Sequence, residues 1–344
     1  MKDHIEQTTS LWMATEEIPL RAKLSRNVEA DVCVVGAGIA GMTTAYLLAS
    51  RGNSVVLIDD GPLAGGQSQR TTAHLTNALD DRYFELEKVH GVEGSRLAAD
   101  SHSQAIDRIE SIIISEGIDC DFQRIDGYLF TLPGESPRML EKELAAAHRA
   151  GLNGVEIVPN APQPSLQTGA CLKFPRQGQF HPLKYFMGLG RAIEKCGGRI
   201  YCQTHVKSVE GGDTGRVTTE DRYTVTAKDI VIATNVPINN LLAIHTKQAP
   251  YLTYAIGATV PRGSVAPGLY WDTLDPYHYI RLQSNSDATD TLIIGGEDHK
   301  AGQVRDQQEH WQRLESWARQ HFPLITTIDY QWSGMVMETT DGLE

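Results

Sequence analysis

The stretch Asp31–Gly41, DVCVVGAGIAG, ends an apolar run with three glycines in the spacing G-x-G-x-x-G. In a strand–turn–helix unit, Gly36 allows the tight turn, Gly38 lets the backbone approach a pyrophosphate, and Gly41 lets the helix pack on the sheet. The pyrophosphate would lie at the positive, N-terminal end of that helix. The stretch therefore predicts a dinucleotide site, and an ordinary glycine-rich turn with nothing bound is the alternative.

The residues that follow complete the unit. Ile39–Arg51 has the apolar spacing of a helix, and Ser54–Asp60 has the continuous apolar run of a buried parallel strand. Asp59 lies about 20 residues beyond the glycines, where a carboxylate binds the ribose hydroxyls and repels a 2′-phosphate. Asp60 is an alternative for this role. The order strand–helix–strand predicts the first half of a doubly wound sheet.

Composition excludes several classes of function. The chain has 344 residues, which suits two domains, and its net charge of −12 argues against nucleic acid and anionic membranes as partners. No apolar run approaches the roughly 18 residues of a spanning helix. The N-terminus has no signal-peptide pattern, so we expect a cytoplasmic protein. Five scattered cysteines predict buried thiols, with neither a disulfide framework nor a metal site.

Beyond the first strands, the pattern predicts a second domain inserted between separated pieces of the first. The predicted elements are a helix over 80–116, a strand over 127–132, helices over 135–150 and 181–195, one strand over 198–210, antiparallel strands over 251–296 and a helix over 307–321. Buried strands return near residues 200 and 230. They would complete the sheet that the glycine motif begins.

The segment Gly61–Asn77, GPLAGGQSQRTTAHLTN, bears on the choice of dinucleotide. An NAD-binding fold would normally continue here into another helix. This segment is instead rich in small and hydroxyl residues, which suits a backbone that runs along a long ligand. A flexible surface loop is the alternative interpretation.

The sequence resembles the FAD-dependent oxidoreductases of the D-amino-acid oxidase and glycine oxidase type, from about Trp12 onward. The motifs that carry the resemblance are DVCVVGAGIAG, VVLIDDG, GGQSQRTTAHLTN, HVKSVE, DIVIATN, DPYHYIRLQ, TLIIGGEDH and WSGMVMETTDGL. The most similar subgroup often carries a C-terminal Rieske iron–sulfur domain. No Rieske motif occurs in this chain, which ends where the family continues into a further strand, loop and helix. A C-terminally truncated chain is therefore expected.

The resemblance implies an α/β fold with a Rossmann-like, glutathione-reductase-like FAD-binding domain and an inserted α+β substrate domain that contains an antiparallel sheet. The implied domains are a lead-in over 1–29, the FAD-binding domain over 30–80, 170–240 and an incomplete segment from about 330, and the substrate domain over 81–169 and 241–329.

The resemblance also assigns cofactor contacts to four places in the chain. The pyrophosphate and ribose would contact Gly36, Gly38, Ile39, Ala40, Gly41 and Asp59. The ribitol and flavin ring would pass along Arg70, Thr71, Thr72, Ala73, His74 and Leu75. The backbone of Val206 would pair with the adenine edge, and the turn of Ala233, Thr234 and Asn235 would close over the cofactor. Many relatives have Gly in place of Asn235.

The resemblance predicts oxidation of a C–N bond in an amine or amino acid, with hydride transfer to flavin N5. Strand alternation in YHYIRL places Tyr277, Tyr279 and Arg281 on one face. Arg281 would clamp a substrate carboxylate and the tyrosines would form the pocket wall, whereas a salt-bridged Arg in an ordinary sheet is the alternative. Three other functions stay open: a flavin dehydrogenase with a Rieske-type electron-transfer partner, an NAD-dependent dehydrogenase, and a non-catalytic truncated flavoprotein.

Overall fold

The computed structural model describes residues 8–236, 238, 247–285, 287–302 and 307–342. Within them, the strands are β1 (Val28–Val35), β2 (Val55–Ile58), β3 (His74–Leu75), β4 (Gln123–Phe130), β5 (Glu156–Val158), β6 (Cys171–Gln179), β7 (Arg199–Tyr201), β8 (Val206–Glu210), β9 (Gly215–Thr219), β10 (Thr224–Ile232), β11 (Gln248–Pro261), β12 (Leu269–Asp272), β13 (His278–Ser284), β14 (Thr289–Lys300) and β15 (Thr327–Thr339). The α-helices are α1 (Leu11–Thr15), α2 (Ile39–Ala49), α3 (Tyr83–Glu116), α4 (Arg138–Arg149), α5 (Pro182–Lys195) and α6 (Gln308–His321).

The first sheet has six strands in the order β7-β2-β1-β10-β9-β8. The first four are parallel, and β10, β9 and β8 form an antiparallel meander. Val35 of β1 pairs with Ile58 of β2, so both strands end at the same edge of the sheet. The glycine turn and Asp59 follow these two strand ends, and they therefore lie side by side. This arrangement confirms the predicted Rossmann-like half.

The second sheet has the order β15-β11-β14-β13-β12-β4-β6-β3, with β5 paired to β6. Its strand pairs are antiparallel except β12 with β4. Helix α6 packs through Trp311 and Leu314 on the face that carries Ile280, and Trp271 on the opposite face packs against α4. Alternation along β13 therefore directs His278, which stacks on Trp317 of α6, away from Tyr279.

The structure differs from the predicted elements and boundaries in three places. The single strand expected over 198–210 is two strands, β7 and β8, at opposite edges of the first sheet. β6 and β15, expected in the FAD-binding domain, pair within the second sheet instead. The lead-in contains α1, whose Trp12 is fully buried. These differences have one reason, because a local pattern indicates a strand but not the partner with which it pairs.

The long helix predicted over 80–116 is present as α3, but Gly91 interrupts it with non-helical φ and ψ angles of 70° and 174°. The predicted domain boundary at 240–241 lies outside the described residues. No helix within the described part of the chain has the length and apolarity needed to cross a bilayer.

Candidate active site

The glycine turn between β1 and α2 is packed so closely that two of its glycines cannot carry a side chain. A Cβ atom on Gly36, whose φ is +105°, would lie 2.3 Å from the Ala233 carbonyl oxygen. A Cβ atom on Gly41 would lie 1.8 Å from the Gly36 carbonyl oxygen. At Gly38 the nearest atom would be the Ser68 hydroxyl oxygen at 3.2 Å, so space remains on this side of the turn. The packing at Gly36 and Gly41 is thus that of the predicted tight turn and helix–sheet contact, and the approach of a pyrophosphate to Gly38 stays a prediction.

The N-terminus of α2 is open to a ligand. Gly38 is its N-cap and supplies no side-chain hydrogen bond, and both Ile39 and Ala40 are exposed in the first turn. The Ile39 N–H lies 3.2 Å from the Ser68 hydroxyl oxygen, which accepts its hydrogen bond. An uncapped helix N-terminus with accessible N–H groups binds anions. The pyrophosphate of FAD therefore fits here.

Of the two acids after β2, Asp59 faces the glycine turn. Its carboxylate accepts hydrogen bonds from the Ala37 N–H at 2.5 Å and the Gly61 N–H at 2.8 Å. Burial and neighbouring Asp60 raise the pKa of Asp59. Asp60 is exposed and lies 3.7 Å from His205. The geometry therefore favours Asp59 for the predicted ribose contact.

Residues 203–206 pass the end of β2 on their way into β8. The Gln203 N–H donates to the Gly61 carbonyl, and the Thr204 N–H donates to the Asp59 carbonyl. These bonds bring Val206, half-buried at the start of β8, next to the acid, although no contact here tests its predicted pairing with adenine.

The predicted turn at 233–235 lies against the glycine turn. The Ala233 N–H donates to the Val35 carbonyl at 2.7 Å, and the Thr234 hydroxyl donates to the Val236 carbonyl. Asn235 has a φ of 61°, a left-handed conformation that asparagine tolerates better than most residues. This conformation explains how the turn forms without the glycine common among relatives.

The segment over 70–75 runs from near the α2 N-terminus toward β13. Within the described residues, the backbone N–H groups of Thr71 and Thr72 make no hydrogen bond, and Ala73 has a left-handed φ of 61°. The Arg70 side chain is buried and donates to the Ser333 carbonyl, while Leu75 pairs with β6. Two adjacent unpaired N–H donors fit a ligand rich in acceptor atoms, as the flavin ring is.

His74 stands where this segment meets β13. Its Nε2 lies 3.3 Å from the Ile280 carbonyl, and its ring packs edge-on against Tyr279, with centroids 5.6 Å apart. Burial, followed by the positive charge of Arg281, lowers the pKa of His74 to about 3. The imidazole is therefore neutral.

Tyr277 and Tyr279 share a face, as predicted, with ring centroids 5.6 Å apart. The Tyr277 hydroxyl donates to the Asp80 carboxylate at 3.1 Å, and the Tyr279 hydroxyl lies 2.7 Å from that of Thr253. Burial raises the pKa of both phenols, so both remain protonated. Both phenols are therefore neutral, and their hydroxyl groups form hydrogen bonds on one side of the site.

The hydrogen bonds of Arg281 are not those that the predicted clamp on a substrate carboxylate requires. Its side chain is fully buried, and its Nη1 donates to the backbone carbonyls of Thr72, Ala73 and Phe180, while Nη2 donates to Gln283. Burial lowers its pKa to about 9. In this arrangement the guanidinium holds protein backbone, and no contact supports a substrate carboxylate there.

Two acids near the tyrosines were not predicted. Asp80 lines a cavity of about 140 Å³, and burial raises its pKa. Asp298 follows the apolar run of β14, and burial raises its pKa to about 7. Charged side chains at the end of apolar runs were the available signal, but only the fold brings Asp80 to the Tyr277 hydroxyl and Asp298 near enough to raise the pKa of both phenols.

Comparisons with known proteins agree with this geometry. The family model for FAD-dependent oxidoreductases, called DAO, matches residues 31–344. The chain is 28% identical over 338 residues to the putative Rieske 2Fe-2S iron–sulfur protein YhfW of Bacillus subtilis, covering 98% of this chain and 66% of that protein. It is 29% identical over 217 residues to gamma-glutamylputrescine oxidoreductase of Escherichia coli, and the match covers 62% of this chain and 50% of that protein.

Solved structures show the same fold at lower identity. Glycine oxidase from Geobacillus kaustophilus has a TM-score of 0.75 at 19% identity, covering 92% of this chain and 85% of that one. L-proline dehydrogenase from P. horikoshii has a TM-score of 0.71 at 19% identity, and the match covers 92% of this chain and 83% of that one. The chain therefore shares with these two structures its mixed architecture of a Rossmann-like sheet and a second, mostly antiparallel sheet.

Proposed function

The chain belongs to the DAO family of FAD-dependent oxidoreductases, and from this premise we propose that it oxidises a C–N bond of an amine or amino acid. The supporting observation is a line of polar groups along which the Thr71 and Thr72 N–H groups have no hydrogen-bond partner among the described residues. It begins at the uncapped N-terminus of α2, passes Ser68, continues through the N–H groups of Thr71 and Thr72, and reaches His74 beside Tyr279. Such a line suits an extended cofactor with its pyrophosphate at one end and its ring at the other.

Bound FAD would supply the acceptor for the hydride that leaves the substrate. The residues of the chain would bind the cofactor, orient the substrate and remove a proton from it. The glycine turn and Asp59 would hold the nucleotide half, and the protonated tyrosines would orient the substrate. Asp298 would take the proton from the substrate's ammonium group, because an acid with a pKa of about 7 is half ionised at neutral pH. Removing that proton frees the nitrogen lone pair that C–N oxidation requires.

Between the two substrate classes, the charges at the site favour an amine. The two terminal nitrogens of Arg281 donate to backbone carbonyls and Gln283, whereas Asp80 accepts a hydrogen bond from Tyr277 and Asp298 lies near enough to both tyrosines to raise the pKa of their phenols. An ammonium group is complementary to these acids, and an α-carboxylate would be repelled by them. The relative named gamma-glutamylputrescine oxidoreductase supports this direction.

The test is anaerobic titration of the FAD-loaded protein. We expect flavin absorption to survive desalting, and we expect aliphatic amines to bleach it faster than the amino acids of matched carbon skeleton. A protein that loses its flavin on desalting contradicts the proposed cofactor role. Bleaching by amino acids alone contradicts the amine assignment and leaves the flavin chemistry in place.

A flavin dehydrogenase that passes electrons to a Rieske-type partner is the second candidate, and the B. subtilis relative favours it. Steady-state turnover in air separates it from an oxidase. Rapid reduction of an artificial dye with little peroxide supports the dehydrogenase, whereas peroxide formed in proportion to substrate contradicts it.

A further inference from the structure

Five consecutive backbone carbonyls, from Gln69 to Ala73, each accept a hydrogen bond from a side chain elsewhere in the chain. The donors are Ser10 Oγ to Gln69 at 2.7 Å, Trp332 Nε1 to Arg70 at 2.9 Å, Trp12 Nε1 to Thr71 at 2.7 Å, and Arg281 Nη1 to Thr72 at 3.1 Å and to Ala73 at 2.9 Å. Consecutive carbonyls seldom all find side-chain partners, since most backbone groups pair with backbone. The segment is therefore oriented by side chains.

The four side chains that donate these bonds are fully buried. They are Ser10 and Trp12 of the N-terminal segment, Arg281 of β13 and Trp332 of β15. The Arg281 guanidinium also lies over the Trp12 ring, 5.2 Å from its centroid. A cation on the face of a buried indole adds attraction. The donors consequently support each other as well as the segment.

Because peptide bonds are planar, a hydrogen bond that fixes a carbonyl on one side of the segment also fixes the direction of an N–H on the opposite side. The carbonyl of one residue and the N–H of the next share a trans peptide plane and point in opposite directions. When Trp332 holds the Arg70 carbonyl, the Thr71 N–H points away from Trp332. When Trp12 holds the Thr71 carbonyl, the Thr72 N–H likewise points away from Trp12. Neither of these two N–H groups has a hydrogen-bond partner among the described residues.

We propose that Trp12 and Trp332 are positioning residues that direct the Thr71 and Thr72 N–H groups at the flavin. The proposal rests on the proposed binding of FAD. Donors preorganised toward the ring stabilise the electron density that reduction adds, and they do so without reorganisation at the time of reaction. The N-terminal segment thereby becomes part of the cofactor site.

The test compares Trp12→Phe with Tyr270→Phe. Tyr270 is the matched control, because its buried hydroxyl also donates to a backbone carbonyl, that of Ala266 at 2.8 Å, but it packs beside α6 on the other face of the second sheet. We expect Trp12→Phe to weaken FAD binding about tenfold and to lower the reduction potential of the bound flavin. We expect Tyr270→Phe to lower thermal stability alone.

Equal effects of the two variants on FAD affinity and potential would overturn the proposal. If Trp12→Phe does not fold, Ser10→Ala removes a neighbouring donor with little loss of volume. It should shift affinity and potential in the same direction by a smaller factor, and an unchanged Ser10→Ala protein would also count against the proposal. Wild-type protein that binds no FAD would instead refute the proposed function, and this is seen before any variant is compared.

Discussion

Alanine at Gly38 and alanine at Gly41 should have opposite consequences, although only two residues separate them. At Gly41 the added Cβ would lie 1.8 Å from the Gly36 carbonyl oxygen, whereas ordinary contact begins at 3.4 Å. The atom in the way is backbone, so α2 must move by roughly 1.6 Å to relieve the clash. Overpacking of this kind costs about 3 kcal/mol, and the better helix propensity of alanine returns about 1 kcal/mol. We expect Gly41→Ala to lose about 2 kcal/mol of stability.

Gly38→Ala should leave the fold unchanged and weaken the cofactor site. The backbone at Gly38 is extended, with φ of −78°, and the added methyl group would contact only the rotatable Ser68 hydroxyl at 3.2 Å. Its stability should stay within about 0.5 kcal/mol of wild type. The methyl group would, however, lie where the pyrophosphate approaches, so FAD affinity should fall at least about tenfold.

Thermal unfolding of both apoproteins and fluorescence titration with FAD measure these two effects separately. The reasoning fails if Gly38→Ala binds FAD as tightly as wild type, because the pyrophosphate would then not approach this turn. It also fails if Gly41→Ala unfolds at the wild-type temperature, because the close packing of α2 on the glycine turn would then not be a requirement.

Three further variants test single features. Asp59→Asn keeps one acceptor for two backbone N–H groups, so it should lose about 1–3 kcal/mol of stability and weaken FAD binding, as calorimetry with and without FAD would show. Asp298 has a folded pKa of about 7, above its unfolded value, so its burial penalty grows as pH rises from about 4 to 7. Asp298→Asn should therefore be more stable than wild type by up to about 4 kcal/mol at pH 8 and equal to it near pH 3; equal melting temperatures at pH 8 would contradict this. Glu143 is buried and accepts hydrogen bonds from the first two N–H groups of α3, so Glu143→Gln should cost about 1–2 kcal/mol in urea unfolding without changing FAD affinity.

Much of the cofactor half follows from local pattern. The turn of Gly36, Gly38 and Gly41 has backbone conformations that adjacent residues determine, and Asp59 lies at a spacing that two parallel strands bring to one sheet edge. Helix periodicity likewise predicted α3 and α5, because an apolar stripe must be buried wherever the helix packs. Such features need no knowledge of distant partners.

Arg281 shows where local pattern stops. Alternation correctly placed it on the face of Tyr279, but its hydrogen-bond partners come from residues 72, 73, 180 and 283. A guanidinium can donate to a substrate carboxylate or to backbone carbonyls, so only its surroundings distinguish the two roles. Charge patterning could not show that Asp80 and Asp298 would meet at the tyrosines.

The residue pattern alone was sufficient for the dinucleotide turn and the strand–helix–strand unit around it, and it narrowed the facing acid to Asp59 or Asp60, because each depends on conformational limits within a short stretch. The partners of β6, β8 and β15, the buried position of Trp12 and the orientation of the 69–73 segment emerged only in the folded chain. These features depend on contacts between distant residues, such as the hydrogen bond from Trp332 to the Arg70 carbonyl, whose residues are 262 positions apart. No local preference encodes such contacts, since the same strand or indole can satisfy its hydrogen bonds with many partners until packing selects one.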